Sequence, residues 1–468
     1  MESAMTTSSG GGGGCGGGHV LLLAFPEAHG HVNPILQFGR RLAYHGLRPT
    51  LVTTRYVLST MPPPTGPFRV AAISDGFDSG GMGACPDVRE YARRLAAVGS
   101  ETLEALFRSE AAAGRPVRVL VYDPHLPWAR RVAHARGVPA AAFFSQPCAV
   151  DVIYGEVWTG RVGLPVIDGS ESSLRGLLSV ELGPDAVPSF VKAPESYPSF
   201  LKSVVGQFEG LEDADDVLVN SFQELEPKEA DYLASTWSFK TIGPTVPSFY
   251  MDDDRFPQNK AYGFNHSDDT SPCMAWLDNQ PPCSVVYASY GTVADLNRTQ
   301  LEELGSGFCN SGKPFLWVMR SCDEHKVSEE LHDKCKERGL IVSWCPQLDV
   351  LSHKATGCFL THCGWNSTTE AIVSGVPLLA MPLWTDQPTT AKYIESAWGI
   401  GVRVQRDKEG IVRKEEVERC IREVLDGERN TEYRKNAATW MKKAKEAMNE
   451  GGSSDKNIAE FAAKYTTY

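Results

Sequence analysis

The stretch that decides the fold of this chain spans residues 344–387 and reads WCPQLDVLSHKATGCFLTHCGWNSTTEAIVSGVPLLAMPLWTDQ. Within it, an apolar run at residues 358–361 leads into a Gly-Trp-Asn-Ser turn and then into a helical pattern that ends before Gly375. A second apolar run follows at residues 377–381. Strand, helix and strand in this order predict parallel strands that are joined by a crossover helix.

The same alternation continues outside this stretch and divides the chain into two series of predicted strands. The first series comprises residues 19–25, 51–54, 117–122, 140–144 and 216–220. The second series comprises residues 284–290, 315–319, 340–343, 358–361 and 377–381. Open parallel sheets bind their ligands beyond the carboxyl ends of the strands. We therefore predict an α/β fold of two domains, with a ligand site in the cleft between two parallel sheets.

Size and charge restrict the function further. A chain of 468 residues is too long for one ordinary core, which favours two domains. Its 46 basic and 58 acidic residues give a formal charge of −12, which argues against nucleic acid or an anionic membrane surface as a partner. No apolar run approaches the ~20 residues of a membrane span, so no membrane insertion is expected. The 12 scattered cysteines suit the reduced thiols of a cytoplasmic protein.

A candidate phosphate site lies where the helix after the Gly-Trp-Asn-Ser turn begins, near Asn366. A helix start offers free backbone amides and a partial positive charge, which together favour an anion. Gly364 allows the backbone to approach a ligand closely, and hydrogen bonds could come from His362, Asn366 and Ser367. As an alternative, Ser367 and Glu370 have the spacing of a capping box, which many helices carry.

Two further positions suit a nucleotide sugar. Trp344 follows a predicted strand at its carboxyl end, where the indole ring can stack on a flat base. A place in the core is the alternative for this tryptophan. Asp386 and Gln387 follow the run at residues 377–381 and Trp384, and a carboxylate beside an amide can bind adjacent sugar hydroxyls. A plain surface turn is the alternative for that pair.

Residues 344–387 resemble the signature box of the plant family of UDP-dependent glycosyltransferases that act on small molecules. The match includes the first Trp, the Pro-Gln, the His-Cys-Gly-Trp-Asn-Ser run, the Glu and the closing Asp-Gln. The resemblance implies the GT-B fold of two Rossmann-like domains, a small-molecule acceptor, and no cofactor or metal. UDP-glucose is the implied donor, since a closing Gln accompanies glucose donors in that family. The implied donor-binding residues are Gly291, Thr292, Trp344, Cys345, Gln347, His362, Gly364, Trp365, Asn366, Ser367, Glu370, Trp384, Asp386 and Gln387.

Transfer of a sugar to an alcohol needs a base that removes the hydroxyl proton, and a histidine suits this task because its pKa lies near neutrality. The turn at residues 26–34 offers His29 and His31. By resemblance, His31 in its Gly-His-x-Asn-Pro pattern is the catalytic base, whereas His29 stands where the family usually has Gln. Asp123 follows the strand at residues 117–122 and matches the Asp that orients the base. From the sequence alone, a helix cap is the alternative for Asp123.

A narrower likeness, to cereal enzymes that glucosylate trichothecene mycotoxins such as deoxynivalenol, is carried by residues 38–60, 71–81 and 119–133. It implies inverting transfer of glucose to a hydroxyl, which forms a β-O-glucoside and detoxifies the acceptor. A phenolic or carboxylic metabolite such as salicylate is the alternative acceptor. A catalytically silent binder of a UDP-sugar or a hormone is the alternative class. The predicted acceptor contacts are His29, His125, Leu126, Phe144 and Gln207.

The predicted domain organisation has five parts, and a monomer is expected. They are a disordered Gly-rich tail at 1–18, an acceptor-binding domain at 19–246, a linker at 247–272, a UDP-sugar-binding domain at 273–448, and a C-terminal helix at 449–468. The resemblance implies that this last helix returns to the N-terminal domain. No zinc site is expected from His353, Cys358, His362 and Cys363, because they straddle a strand and include no Cys-x-x-Cys pair.

Overall fold

The computed structural model describes residues 17–64, 66–85, 87–169, 174–256, 260, 263 and 272–466. Two predicted segments lie partly outside the described residues. The predicted tail at 1–18 is described for residues 17 and 18, and the predicted linker at 247–272 is described up to residue 256 and at residues 260, 263 and 272.

The N-terminal half of the chain forms a seven-stranded sheet in which adjacent strands are parallel. Its strands are β1 (His19–Leu23), β2 (Arg48–Thr54), β3 (Arg69–Ile73), β4 (Val117–Tyr122), β5 (Ala140–Phe144), β6 (Asp216–Val219) and β7 (Phe239–Thr241). Their order across the sheet is β3-β2-β1-β4-β5-β6-β7. The five runs predicted for this half are all strands. β3 and β7 were not predicted, because β3 is mostly half-buried and β7 has only 3 residues.

Helices connect these strands and cover the sheet. They are α1 (His29–Tyr44), α2 (Arg55–Thr60), α3 (Val88–Ala112), α4 (Pro127–His134), α5 (Cys148–Trp158), α6 (Ser189–Lys192), α7 (Pro198–Val205) and α8 (Pro227–Trp237). Short 3-10 turns lie at Met82–Ala84, Pro184–Ala186, Gly206–Phe208 and Leu211–Asp213. Because proline suits the first position of a helix, the sequence predicts a helix start near Asn33, but α1 begins at His29 and contains Pro34. Its buried face, which includes Ile35, Leu36 and Phe38, holds the helix together around the internal proline.

The C-terminal half forms a six-stranded parallel sheet of order β10-β9-β8-β11-β12-β13. Its strands are β8 (Val285–Ser289), β9 (Phe315–Val318), β10 (Gly339–Val342), β11 (Thr356–Thr361), β12 (Leu378–Ala380) and β13 (Gly401–Arg403). The helices are α9 (Cys273–Asp278), α10 (Arg298–Ser311), α11 (Glu329–Lys336), α12 (Gln347–Leu351), α13 (Trp365–Ser374), α14 (Gln387–Lys392), α15 (Lys414–Asp426), α16 (Asn430–Met448) and α17 (Ser453–Thr466). Further turns are Ser248–Met251 and Glu324–Lys326, and Tyr393–Ala397 is a π-helix. All five runs predicted for this half are strands.

The central strands are buried along their whole length. Every residue of β1, β8 and β11 is buried, as expected for parallel strands that helices cover on both faces. Their near-continuous apolar sequences are therefore core, and the polar residues that follow them stand at the carboxyl edges of the sheets. No helix in the part of the chain that the structure describes combines the length and the apolar character needed to cross a membrane.

The described part of the predicted linker is packed against the protein. Tyr250 and Met251 are buried, and Asp253 accepts hydrogen bonds from Arg41 of α1 at 3.2 Å and from Arg255 at 2.9 Å. Arg255 also donates to Asp455 of α17 at 2.9 Å. We refer to Arg41, Asp253, Arg255 and Asp455 as the crossover clamp. Residues 247–256 are thus fixed by burial and ion pairs, which their polar composition did not predict.

The C-terminal helix α17 lies against the first sheet. Ser454 donates to the carbonyl of Gly243 at 2.6 Å, and Asn457 donates to the carbonyl of Thr241 at 2.9 Å. The ring of Phe461 packs on Phe38 of α1 with 5.6 Å between centroids. Although it is last in the sequence, α17 completes the core of the N-terminal half.

Candidate active site

A histidine and an aspartate meet at the carboxyl edge of the first sheet. Because β1 and β4 are neighbours in that sheet, the residues that follow them are brought together. His31 lies in the first turn of α1 after β1, and Asp123 directly follows β4. His31 Nδ1 stands 2.6 Å from Asp123 Oδ2, and Asp123 is only 3% exposed. With Nδ1 committed to the carboxylate, Nε2 is the nitrogen left to accept a proton.

Asp123 holds a second histidine through its other oxygen. The Nδ1 atom and the backbone amide of His125 lie 3.0 and 2.9 Å from Asp123 Oδ1. The hydroxyl of Ser145 lies 3.4 Å from His31 Nδ1. The ligand atoms of His31, Asp123 and His125 all lie within 4.8 Å of one another, a spacing that a metal ion could use. Both Nδ1 atoms are directed at carboxylate oxygens, and this arrangement fixes proton positions on the rings.

The electrostatics of this pair favour an ionised carboxylate and a more basic imidazole. Burial by itself lowers the pKa of His31, but the charge and the hydrogen bond of Asp123 outweigh burial and raise it above its usual value. For Asp123, burial acts to raise the pKa, yet the two histidines lower it well below its usual range. Asp386, which belongs to the other half of the chain, also contributes to the raised pKa of His31.

On the opposite wall, helix α13 presents its first turn. Its N-cap is Gly364, which has extended backbone and offers no side-chain cap to the first amides. The helix begins at Trp365, so Ser367 lies inside it and the capping-box alternative is wrong. Ser367 instead accepts a hydrogen bond from Gln347 at 2.9 Å. A helix start without a capping side chain suits phosphate oxygens.

The ring of His362 fills the space between two glycine turns beside that helix start. A Cβ atom on Gly291 would approach the ring to 2.8 Å, and one on Gly364 would approach it to 2.4 Å. Gly291 also has a φ of +74°, which favours glycine. Burial lowers the pKa of His362 to about 4, so its imidazole is neutral at physiological pH. Its Nδ1 is buried without a hydrogen-bond partner among the described residues.

Polar side chains form a network next to the first turns of α13. Gln347 donates to Glu370 Oε2 at 2.7 Å, and its own oxygen accepts from the Tyr287 hydroxyl at 2.8 Å. The same hydroxyl lies 3.4 Å from the thiol of Cys345, whose pKa burial raises to about 12. Trp344 is 43% exposed at the carboxyl end of the β10 segment, so the core alternative for this ring does not hold. Tyr287 was missed because it lies within an apolar strand.

The predicted sugar-binding pair lies in the turn that leads into α14. Gln387 is 6% exposed, and its side-chain oxygen accepts from the amides of Leu383 and Trp384 at 2.9 and 3.0 Å. That oxygen therefore holds the turn, which leaves the amide nitrogen for a sugar. Asp386 has a pKa raised by burial, and the hydroxyl of Thr385 donates to it. The ring of Trp384 packs edge-on against two phenylalanines of the first half, Phe190 and Phe200.

Two of the predicted ligand contacts have side chains that are buried within the protein. The indole of Trp365 is 4% exposed and donates to the carbonyl of Asn220 at 2.7 Å, so it joins the two halves of the protein. Phe144 is fully buried against Phe208 and Phe239, since β5 ends inside the core. Ligand contact by these two side chains therefore stays a prediction.

The other residues that were predicted to contact the acceptor differ in how far they are buried. Leu126 is 1% exposed, and Gln207 is 3% exposed. The amide of Gln207 donates to the carbonyl of Val204 at 2.9 Å and accepts from Gln146 at 3.1 Å. His29 at the start of α1 and His125 are half-buried, whereas Thr292, which was predicted as a donor contact, is exposed. His29 and His125 thus have surface to offer an acceptor, while Gln207 is engaged within the protein.

A histidine held by a buried aspartate on one sheet edge, facing an uncapped helix start on the edge of a second parallel sheet, matches the GT-B class of enzymes that transfer sugars from nucleotides. The chain belongs to the family described as UDP-glucoronosyl and UDP-glucosyl transferase, whose model matches residues 262–445. The UDP-glycosyltransferase 79 of Oryza sativa subsp. japonica is 69% identical over 450 residues, which cover 96% of this chain and 97% of that protein. The UDP-glucosyltransferase UGT13248 of Hordeum vulgare subsp. vulgare is 66% identical, over 96% of this chain and 94% of its own length.

Solved structures agree with this assignment. The crystal structure of Os79 from O. sativa in complex with UDP has a TM-score of 0.92 at 69% identity and covers 95% of this chain and 100% of Os79. Os79 in complex with UDP and deoxynivalenol-3-glucoside, its glucose not resolved, has a TM-score of 0.89 at 67% identity over the same shares. The predicted family, the GT-B fold and the enzyme class are therefore confirmed, as is the likeness to cereal enzymes.

Proposed function

We propose that this enzyme transfers glucose from UDP-glucose to a hydroxyl of a trichothecene such as deoxynivalenol, with inversion, and so detoxifies it. The observation that carries the proposal is the 2.6 Å contact between His31 and Asp123 on the wall that faces the start of α13. The binding of UDP and deoxynivalenol-3-glucoside by the similar rice protein supports the choice of acceptor. We also propose that the enzyme acts as a monomer in the cytoplasm.

In the proposed reaction, His31 Nε2 takes the proton of the acceptor hydroxyl while the oxygen attacks the anomeric carbon of glucose. The bond from that carbon to the UDP oxygen breaks, and UDP leaves with the bonding electrons. Asp123 stabilises the imidazolium that forms. Both Asp123 oxygens are engaged by histidines, so this carboxylate is not placed to act as a nucleophile, and a single displacement inverts the configuration.

The leaving group is stabilised without a metal in this proposal. The free amides of the α13 first turn and the neutral His362 donate to the developing negative charge on the phosphates. Trp344 stacks on the uracil, the Gln347–Glu370 pair binds the ribose, and Asp386 with the amide nitrogen of Gln387 binds the glucose hydroxyls.

The test is a panel of acceptors incubated with UDP-glucose and read by mass spectrometry. We expect deoxynivalenol to gain one anhydroglucose unit, with β configuration at the new bond by NMR. Salicylate and other phenolic or carboxylic acceptors belong in the same panel. Turnover of these compounds without turnover of deoxynivalenol would show that the proposed acceptor is wrong. Binding of UDP without turnover of any acceptor would favour a catalytically silent binder.

A further inference from the structure

One backbone carbonyl in the first turn of α1 has lost its usual donor. In an α-helix, the carbonyl of a residue accepts from the amide four residues later. For Gly30 that later residue is Pro34, which has no N–H and lies inside α1. The Gly30 carbonyl, one residue before His31, is therefore left without its intrahelical hydrogen bond.

The other wall of the cleft supplies a donor for this carbonyl. The side-chain amide nitrogen of Asn366 donates to the Gly30 oxygen at 3.1 Å. Asn366 is the second residue of α13, so the bond joins the first turn of the helix proposed to bind phosphate to the first turn of the helix that carries the base. Its neighbour Trp365 also crosses the cleft, to Asn220.

We infer that Asn366 is a positioning residue that acts through Gly30 to set His31 against the bound donor. This inference rests on the proposed function and departs from the donor contact that family resemblance implied for Asn366. One N–H of its amide donates to the opposite wall, and in this inference phosphate binding belongs to the backbone amides of α13. The base and the leaving group belong to different halves of the protein, and a displacement of about 1 Å between reacting groups can cost about 100-fold in rate.

The test compares Asn366→Ala with Thr389→Val. The control removes another side-chain bond across the same cleft, from Thr389 to the carbonyl of Ala186 at 2.7 Å, without touching α1 or α13. For Asn366→Ala we expect kcat to fall by about 10- to 100-fold while the Kd for UDP, measured by calorimetry, stays within about threefold. For Thr389→Val we expect a comparable drop in melting temperature with kcat nearly unchanged. If the alanine variant folds poorly, Asn366→Ser serves, because its shorter side chain cannot reach Gly30.

Two results would overturn the inference. A UDP affinity that falls as much as kcat/KM would make Asn366 a phosphate ligand. Equal kcat in Asn366→Ala and Thr389→Val, whether high or low, would show that the bond to Gly30 has no special role. UDP binding does not require turnover, and a wild-type protein that turns over no acceptor would instead contradict the proposed function.

Discussion

The carboxylate of Asp123 is shared between two imidazole rings, with one oxygen for His31 and the other for His125. Sharing fixes both rings, because each Nδ1 is directed at an oxygen that is itself buried. It also keeps the negative charge beside His31 while a proton arrives there. A base arranged in this way gains affinity for the proton without losing its orientation.

His31→Ala tests the proposed base directly. We expect kcat to fall by about 100-fold or more, with UDP binding nearly intact, because the proposed donor site belongs to the other half of the protein. Steady-state kinetics and calorimetry measure the two effects. Thiol acceptors of matched shape should lose less than alcohols, since they are more acidic. Equal losses for both kinds of acceptor would mean that His31 shapes the pocket and does not remove the proton.

The pH profile of kcat/KM reports the same residue. The base must be neutral to accept a proton, so activity should be lost as the pH falls through the pKa of His31. Asp123 raises that pKa above the ordinary value of 6.5, so the acidic limb should lie above pH 6.5. In Asp123→Asn the carboxylate is gone, and the limb of the residual activity should move to lower pH. A wild-type limb below pH 6.5 would contradict this electrostatic assignment.

Trp344 offers a test of the nucleotide assignment. Its ring is 43% exposed, so truncation should not open a hole in the core. We expect Trp344→Ala to weaken UDP binding by about 1–3 kcal/mol, the contribution of stacking on a base. Trp344→Phe should keep part of that affinity, and calorimetry with UDP measures both variants. An unchanged affinity in a folded Trp344→Ala protein would remove the ring from the donor site.

At the residue scale, sequence patterns locate polar residues at the ends of strands, but they do not show which way a side chain points or what it contacts. The pairing of His31 with Asp123 was implied by the family resemblance, because the apolar runs of β1 and β4 predict two strands but not that these strands are neighbours. The direction of the Trp365 indole cannot be predicted from the sequence, because it depends on a hydrogen bond to Asn220, which is 145 residues away. Phe144 shows the same limit, because strand alternation near a core edge does not reveal which face meets solvent. The sequence likewise does not show that the side-chain oxygen of Gln387 accepts a hydrogen bond from the amide of Leu383 in its own turn.

At the scale of elements, long buried strands were predictable and short ones were not. β1, β4 and β11 carry five or six mostly apolar residues, whereas β7, β12 and β13 have three each. β12 was still predicted, because its apolar run continues past its ends at residues 377–381. The start of α1 was misplaced because packing permits a proline inside a helix, and no local rule anticipates which contact replaces the missing bond.

The crossover clamp gives a prediction at this scale. Arg255 bonds to Asp253 and Asp455 and also donates to the carbonyl of Met448 at 3.0 Å. Its removal leaves carboxylates of low exposure with one cation fewer, so Arg255→Met should lower the free energy of unfolding by about 3 kcal/mol. The matched control is Arg429→Met, whose pair with Glu432 is more than half exposed on both sides, so its loss should cost far less. Denaturant titration compares the two, and similar costs would argue against the clamp.

For the whole molecule, a formal charge of −12 coexists with the proposed site for an anionic donor. Attraction must then be local, from the α13 amides and nearby hydrogen-bond donors, because the overall field repels an anion. We expect full activity after dialysis against EDTA and no stimulation by added Mg²⁺ or Zn²⁺. A loss restored by one metal would instead place an ion at the His31, Asp123 and His125 group, whose spacing would allow it.

The return of α17 to the first sheet has a consequence for synthesis on the ribosome. The carbonyls of Thr241 and Gly243 accept hydrogen bonds from Asn457 and Ser454, respectively. These donors are translated more than two hundred residues later, so both carbonyls lack these partners until then. The first half therefore emerges with its edge and the apolar patch at Phe38 uncovered until the final helix leaves the exit tunnel. A stop codon at position 453, which removes α17, should thus cost the earliest-made half its stability, and the nascent chain should need protection from aggregation until α17 has been made.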